Sequence, residues 1–263
     1  MFKDSLGNRM KHNYEEVSRT RLTRRMPVII RLDGCHFHTV TKGFKKPFDD
    51  VLIKVMDETM KYLCEHIQGC VLGYTQSDEI TLVLVDYAKF GSEAWFDYEV
   101  QKICSVAASM ATMAFNRAFV DAVGPFFENY IIADNVTDED VKLANAYARV
   151  EYEGATFDAR CFNIPKEEVT NCVYWRQLDA VRNSILSLAQ SLYSQKEIQG
   201  INCNTLKEKM NAEKNVEWNS LPVRQKFGSC CIKKDGNWAI DSEIPLFIGP
   251  YRDYVENLIN VGE

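Results

Sequence analysis

Residues 27–38, PVIIRLDGCHFH, decide how this chain folds. The first half is a short apolar run rich in β-branched side chains and stopped by Gly34, which predicts a strand over 27–33. That strand ends on a carboxylate, Asp33. Further along, Val51, Leu52, Val55, Met56, Met60, Leu63, Cys64 and Ile67 recur at helical spacing, predicting an amphipathic helix from Pro47 to Ile67. CVLGYTQ (70–76) and EITLVLV (79–85) predict two strands around the tight turn Ser77–Asp78. A second long helix is predicted over 97–121, where Val100, Ile103, Cys104, Ala107, Ala111, Ala114 and Phe115 share one face. TFDARCFN (156–163) alternates as a fourth strand.

The order βαββαβ specifies an α+β fold, a ferredoxin-like antiparallel sheet with helices on one face. With right-handed crossovers, strand one lies centrally beside strand three. Its end then shares the top edge with the hairpin joining strands two and three, so Asp33 and Asp78 meet there. Glu79, the next residue, points to the other face of its strand if alternation holds. Two carboxylates converging at short range repel, and one takes a proton unless a cation lies between them. Magnesium suits such a pair: it takes oxygen ligands and is usually held by one or two carboxylates together with substrate phosphates. Two such ions about 4 Å apart stabilise the attacking and leaving oxygens of a phosphoryl displacement. Gly34, with no side chain, lets the backbone approach an ion or a phosphate. The plainer reading makes Asp33, Ser77 and Asp78 ordinary turn residues; the convergence of both ends favours the site. His36 and His38 either donate to phosphate or base, or cap packing beneath the loop. Lys42, Lys45 and Lys46 either bind phosphate at the mouth of the site or belong to a solvated loop.

With 263 residues and 46% hydrophobic content, the chain can bury a sizeable core. No run approaches the roughly 20 uninterrupted apolar residues that span a bilayer, and the first residues are too polar for a signal peptide, so a soluble, cytoplasmic protein without a membrane partner is expected. Nine cysteines form no CxxC pair and the four histidines lie before residue 67, which fits buried thiols better than a disulfide frame or a zinc site. The net charge of −6 is unevenly spread. Residues 1–46 carry eleven Lys/Arg against four Asp/Glu and residues 169–234 carry ten against five, whereas 121–168 reverse to four against eleven. Two basic segments in an acidic chain either form a phosphate-binding face or are ordinary solvated surface.

RLDGCHFHTVTKGFKKPFDD, GYTQSDEITLV, FDARCFNIP and YWRQLDAVRNS together resemble the tRNA-His guanylyltransferase superfamily, reverse-direction polymerases acting on the 5′ end of tRNA. The matches run in order from residue 28 to about 230. The resemblance implies a polymerase-palm core at 1–165 and a helical and hairpin extension at 166–263, packed as one compact unit. It implies two magnesium ions on Asp33, the Gly34 carbonyl and Asp78, with Glu79 assisting. The triphosphate site would comprise Asp33, Gly34, Cys35, His36, Phe37, His38, Ser77 and Asp78. Lys46 and Lys102 match basic residues associated with activation of the tRNA 5′ end. ATP or GTP would activate the 5′ monophosphate, nucleoside triphosphates would supply additions, and the assembly would be a homotetramer. Two departures stand out. Position 35 is Cys where relatives carry a basic residue, and AVRNSIL follows WRQLD where the eukaryotic guanylyltransferases carry an HINNLYN-type stretch. The second departure favours template-directed repair of 5′-truncated tRNA over a dedicated tRNA-His enzyme. A palm-fold nucleotide cyclase and a noncatalytic RNA-binding protein are the less favoured alternatives.

Over 173–193 the apolar spacing predicts a helix with Arg176, Gln177, Arg182 and Asn183 toward its start. Arginines there either hold RNA phosphates or, for Arg176, pair with a core carboxylate such as Asp179. NTLKEKMN predicts a short helix capped by Asn204 or Thr205. LPVRQKFGSCCIKK and DGNW predict a strand and hairpin flanked by Arg224, Lys226, Lys233 and Lys234. Arg31, Arg176, Arg182, Asn183, Arg224 and Lys226 are the RNA-binding candidates. Trp175, Trp218 and Trp238 either stack bases or lie in the core.

Overall fold

A computed structural model describes residues 5–132 and 135–260. The elements are α1 (Ser5–Met10), β1 (Val28–Gly34), α2 (Phe37–Val40), α3 (Asp50–His66), β2 (Cys70–Gln76), β3 (Glu79–Leu84), α4 (Val100–Ile132), α5 (Asp138–Glu153) and β4 (Phe157–Asn163). There follow α6 (Lys166–Leu192), α7 (Gln195–Ile198), α8 (Cys203–Lys214), α9 (Val223–Phe227), β5 (Ser229–Lys234), β6 (Asn237–Asp241) and α10 (Asp253–Ile259).

One antiparallel sheet runs β4-β1-β3-β2-β5-β6. Its first four strands have the order expected of a palm, with β1 beside β3. The hairpin β5–β6 continues this sheet along β2, so strands from both sides of residue 165 share one ladder.

Alternation along β1 sorts the core into two layers. Val28, Ile30 and Leu32 face the same way as Ile80, Leu82 and Leu84, and pack with Val55, Met56, Met60 and Leu63 of α3 and Ile103, Ala107, Ala111 and Phe115 of α4. Ile29 and Val83 face the other way, onto Val169 and Val173 of α6 and Val255 and Ile259 of α10. Helix α4 is long and apolar enough by composition to cross a bilayer, but here it lies along the sheet with its Ile103–Phe119 stripe buried. A third cluster joins the second half of α6 to α8, around Leu188, Leu206, Met210 and Trp218.

Several boundaries differ from expectation for local reasons. Helix α3 starts after Asp49, because that carboxylate accepts the Leu52 N–H at 3.0 Å and caps the first turn. Helix α4 continues to Ile132, since Val123 and Phe126 extend its apolar face past residue 121. Helix α5 was not anticipated. It begins in a capping box in which Thr137 and Asp140 bond reciprocally, a signal readable as TDED. Helix α8 is capped by Asn202, which accepts the Thr205 N–H, rather than by Asn204 or Thr205.

Candidate functional site

The top edge of the sheet brings together the two ends predicted to converge. The Gly34 N–H donates to the Asp78 carbonyl at 3.1 Å, closing the β1–β3 ladder at the β2–β3 turn. Ser77 takes a left-handed φ of +50° to make that turn, and its hydroxyl donates to Asp78 Oδ1 at 2.9 Å. Register then sets Asp158, Asp33 and Glu79 side by side across β4, β1 and β3, with Arg160, Arg31 and Thr81 two residue pairs below on the same face.

The charges in this row are unequally compensated. Asp158 pairs with Arg160 at 2.9 Å. Glu79 receives the Arg176 guanidinium and lies 3.5 Å from Arg31 Nη2. Asp33 has no ion pair among the described residues. Burial, and then the charges of Asp78, Glu79 and Asp158, push its carboxyl above the ordinary range. Burial raises Asp78 likewise, against the lowering hydrogen bond from Ser77. An all-oxygen pair of half-buried carboxylates, neither neutralised by a cation of the protein, fits a hard divalent ion completed by substrate phosphates. No group of three or more His, Cys, Asp or Glu side chains that could hold a metal occurs among the described residues, so such an ion would take two carboxylates at most.

Gly34 is required on steric grounds. A Cβ there would lie 2.1 Å from Phe37 Cδ2. Phe37, predicted among the nucleotide ligands, sends its ring into the core against Phe115 and Phe157, so only its backbone is available to a ligand. Cys35 spends its N–H on the Thr156 carbonyl at 2.8 Å. His36, at φ +54°, and His38 are exposed, with their rings 6.4 Å apart edge to face.

Beside Ser77 opens a cavity of about 240 Å³, lined by Lys45, Lys46, Asp49, Gln76, Asn183 and Arg224 among others. Asp49, which carries no site signal in the sequence, is buried and anchors this wall. Its carboxylate accepts the N–H groups of Lys45 and Leu52 and the Tyr147 hydroxyl. The only sequence signal was an N-cap position, which argues for a helix start rather than a cavity wall.

Other predicted residues are placed differently. Lys102 sits near the start of α4 with its ammonium 5.2 Å from the Phe96 ring. Ten residues later Thr112 meets the Phe157 N–H, opposite Gly34, so helical rise leaves Lys102 about 15 Å from the apex. Arg176 is buried and holds Glu79 and Asp179, so its guanidinium is spent on carboxylates of the fold rather than turned out toward RNA. Arg224 binds the buried Asp57 through Nε at 3.0 Å and Nη2 at 2.9 Å, and only its flank reaches the cavity. Lys226 donates to the Asn219 carbonyl at 2.7 Å. Arg31 lies between Glu79 and the Trp175 ring. Asn183 lines the cavity and bonds Asp179, and Arg182 is exposed beside the same carboxylate. Glu79 is the cross-strand partner of Asp33 and is clamped by arginines, which leaves it a supporting group beside the pair.

A tRNAHis guanylyltransferase family model matches residues 7–165. The fold is similar to that of a bacterial tRNA(His) guanylyltransferase-like protein solved in complex with ATP, with 42% identity, a TM-score of 0.82, and coverage of 97% of this chain and 100% of that one. A bacterial protein of the same description in complex with GTP gives 38% identity and a TM-score of 0.74 over 98% of this chain and 100% of that one. The tRNA(His) guanylyltransferase 2 of Arabidopsis thaliana is 24% identical over 78% of this chain, which spans 35% of that relative's length. The chain therefore belongs to the tRNAHis guanylyltransferase family.

Proposed function

We propose that this protein is a magnesium-dependent nucleotidyltransferase that extends the 5′ end of tRNA in the 3′-to-5′ direction, acting in template-directed repair of 5′-truncated tRNA. The observation that carries the reading is the meeting of Asp33 and Asp78 at one sheet edge, joined by the Gly34–Asp78 hydrogen bond, with no ion pair to Asp33 among the described residues. Family membership and the ATP- and GTP-bound similar structures support a nucleotidyltransferase working on nucleoside triphosphates.

Divalent ions bound at the pair would offset charge on the attacking and leaving oxygens of the phosphoryl displacement. The residues of this chain do the remaining work. Asp33 and Asp78 are the residues that would hold the ions, and the Ser77 hydroxyl keeps Asp78 in its rotamer. The cavity beside Ser77 receives the nucleoside, with Lys45 and Lys46 at its wall near the phosphates. Activation joins the tRNA 5′ phosphate to the α-phosphorus of ATP with loss of pyrophosphate. In the second step the 3′ hydroxyl of the incoming nucleotide attacks the activated 5′ phosphorus and the mononucleotide leaves. Lys46, at the cavity wall, is the lysine this reading assigns to activation. The same reading makes the protein a homotetramer, which sedimentation of the pure protein tests, and places it in the cytoplasm, which fractionation of cells tests.

The experiment is incorporation of labelled GTP into 5′-phosphorylated tRNA with and without magnesium. Wild type incorporates only with the metal, and Asp33→Ala and Asp78→Ala fall to background while remaining folded. Substantial transfer by Asp33→Ala would remove the mechanism. Templated addition to truncated non-histidine tRNAs separates repair from a dedicated tRNA-His activity.

A further inference from the structure

Trp175 stands where packing does not require it. It lies on α6 beside the buried Arg176 and is 51% exposed, whereas Trp95 and Trp218 are buried and Trp238 is half-buried. It belongs to none of the three core clusters, and α6 reaches the core instead through Val169, Cys172 and Val173. Two guanidinium groups hold its ring: Arg176 Cζ lies 4.6 Å from the centroid and Arg31 Cζ 5.2 Å. Both arginines also hold Glu79, the register partner of Asp33. Paired residues on antiparallel strands lie about 5 Å apart, so the indole stands on the order of 10 Å from the reaction centre. The exposed Leu178 and Arg182 follow at three and seven residues, which places an aromatic, an apolar and a cationic side chain along one stripe of α6.

We propose that Trp175 is a stacking platform for a nucleobase at the RNA end that reacts, with Arg182 following the phosphate of the same strand. Any base presents a π-face, so such a platform tolerates sequence, as an enzyme extending varied ends requires. The two arginines beside the ring fix its orientation, and the exposed Arg182 on the same stripe supplies a cation for a polyanion. This inference rests on the proposed reaction and adds the group that positions the RNA end for it.

The test combines fluorescence with kinetics. Titrating the wild-type protein with 5′-phosphorylated tRNA quenches tryptophan emission, and Trp175→Phe removes most of that quenching while keeping incorporation within a few-fold, because a phenyl ring still stacks. Trp175→Ala raises the apparent KM for tRNA roughly 5- to 150-fold, the range expected for one base–aromatic stack, and leaves the KM for ATP unchanged. Abasic substitution at the 5′-terminal nucleotide, or at the template nucleotide opposite the addition, abolishes the quenching for whichever base stacks. If wild type incorporates nucleotide but both Trp175 variants keep the wild-type KM and the quenching, the platform is refuted and the reaction stands. If wild type incorporates nothing, the reaction itself is wrong, whatever Trp175 binds.

Discussion

Replacing Gly34 with Ala tests the sterics and the chemistry of the site together. The added methyl would sit 2.1 Å from Phe37 Cδ2 and 2.4 Å from Cε2, well inside contact distance. The ring cannot swing away, because Phe115 and Phe157 pack it at centroid distances of 5.4 and 5.3 Å. Either the end of β1 shifts or Phe37 leaves its rotamer, and overpacking of this kind costs about 1–3 kcal/mol. For a chain of this size each kcal/mol lowers the melting temperature by roughly 2–4 °C, so a drop of about 2–12 °C is expected. Phe37→Leu alone also destabilises, by leaving a cavity. Combined with Gly34→Ala, however, it removes the clash, so the double variant loses less than the sum of the single losses by about 1 kcal/mol or more. Denaturant unfolding of the four proteins measures that coupling. Magnesium-dependent incorporation reads the second consequence: Gly34→Ala moves the backbone beside Asp33 and loses transfer even at temperatures where it is fully folded. Additive stabilities, or a Gly34→Ala protein with wild-type stability and rate, would refute the argument.

Arg224→Ala leaves the buried Asp57 with only the Ser229 hydroxyl at 2.6 Å and should cost about 3 kcal/mol in urea unfolding, whereas Lys226→Ala, which loses one exposed carbonyl contact, should stay within about 0.5 kcal/mol. Asp33→Asn should abolish transfer yet raise the melting temperature of the metal-free protein at pH 7. The folded-state carboxyl is raised, so its ionised form opposes folding above that value; the advantage of Asn should therefore shrink as the pH falls to where Asp33 is protonated in both states. The Cys161 thiol is pushed up to about 12 by burial and then by Cys104, 3.6 Å away. Its contribution to stability should hold below the ordinary thiol range and fade as the pH climbs toward 12. Alkylation at pH 8 should leave Cys161 unmodified until the protein unfolds, as mass spectrometry of the digested protein would show.

The palm order was legible because each of its strands and helices carries a clean period. β1 runs Val28–Gly34 against the expected 27–33, and β2 matches its expected span of 70–76. The sequence does not show by local pattern that SCCIKK joins β2, because pairing between segments some 150 residues apart is set by tertiary packing. At the site, Asp33, Gly34 and Asp78 could be placed from topology alone. The arginines could not. A guanidinium looks the same in a sequence whether it meets RNA or a buried carboxylate, and Arg176 and Arg224 found Glu79 and Asp57 across packed elements. Lys102 was carried by resemblance, and the length of α4 leaves it away from the apex of its own chain.

A buried strand can end on a carboxylate because its neighbours are matched and it is not. Along the row Asp158–Asp33–Glu79, the outer carboxylates each have arginine partners from two residue pairs below or from α6, which lowers the cost of clustering three anions at a sheet edge. Had a fourth cation reached Asp33, the edge would be a closed ion-pair network with its charge already satisfied. Instead Asp33 and Asp78 keep unspent oxygens, and their repulsion is relieved only by a proton or by a cation from outside. Arg176 makes the asymmetry durable. By tying Glu79 to Asp179 it fixes α6 against the sheet and spends the Glu79 charge on the fold, so the uncompensated negative charge at the edge is that of the central pair.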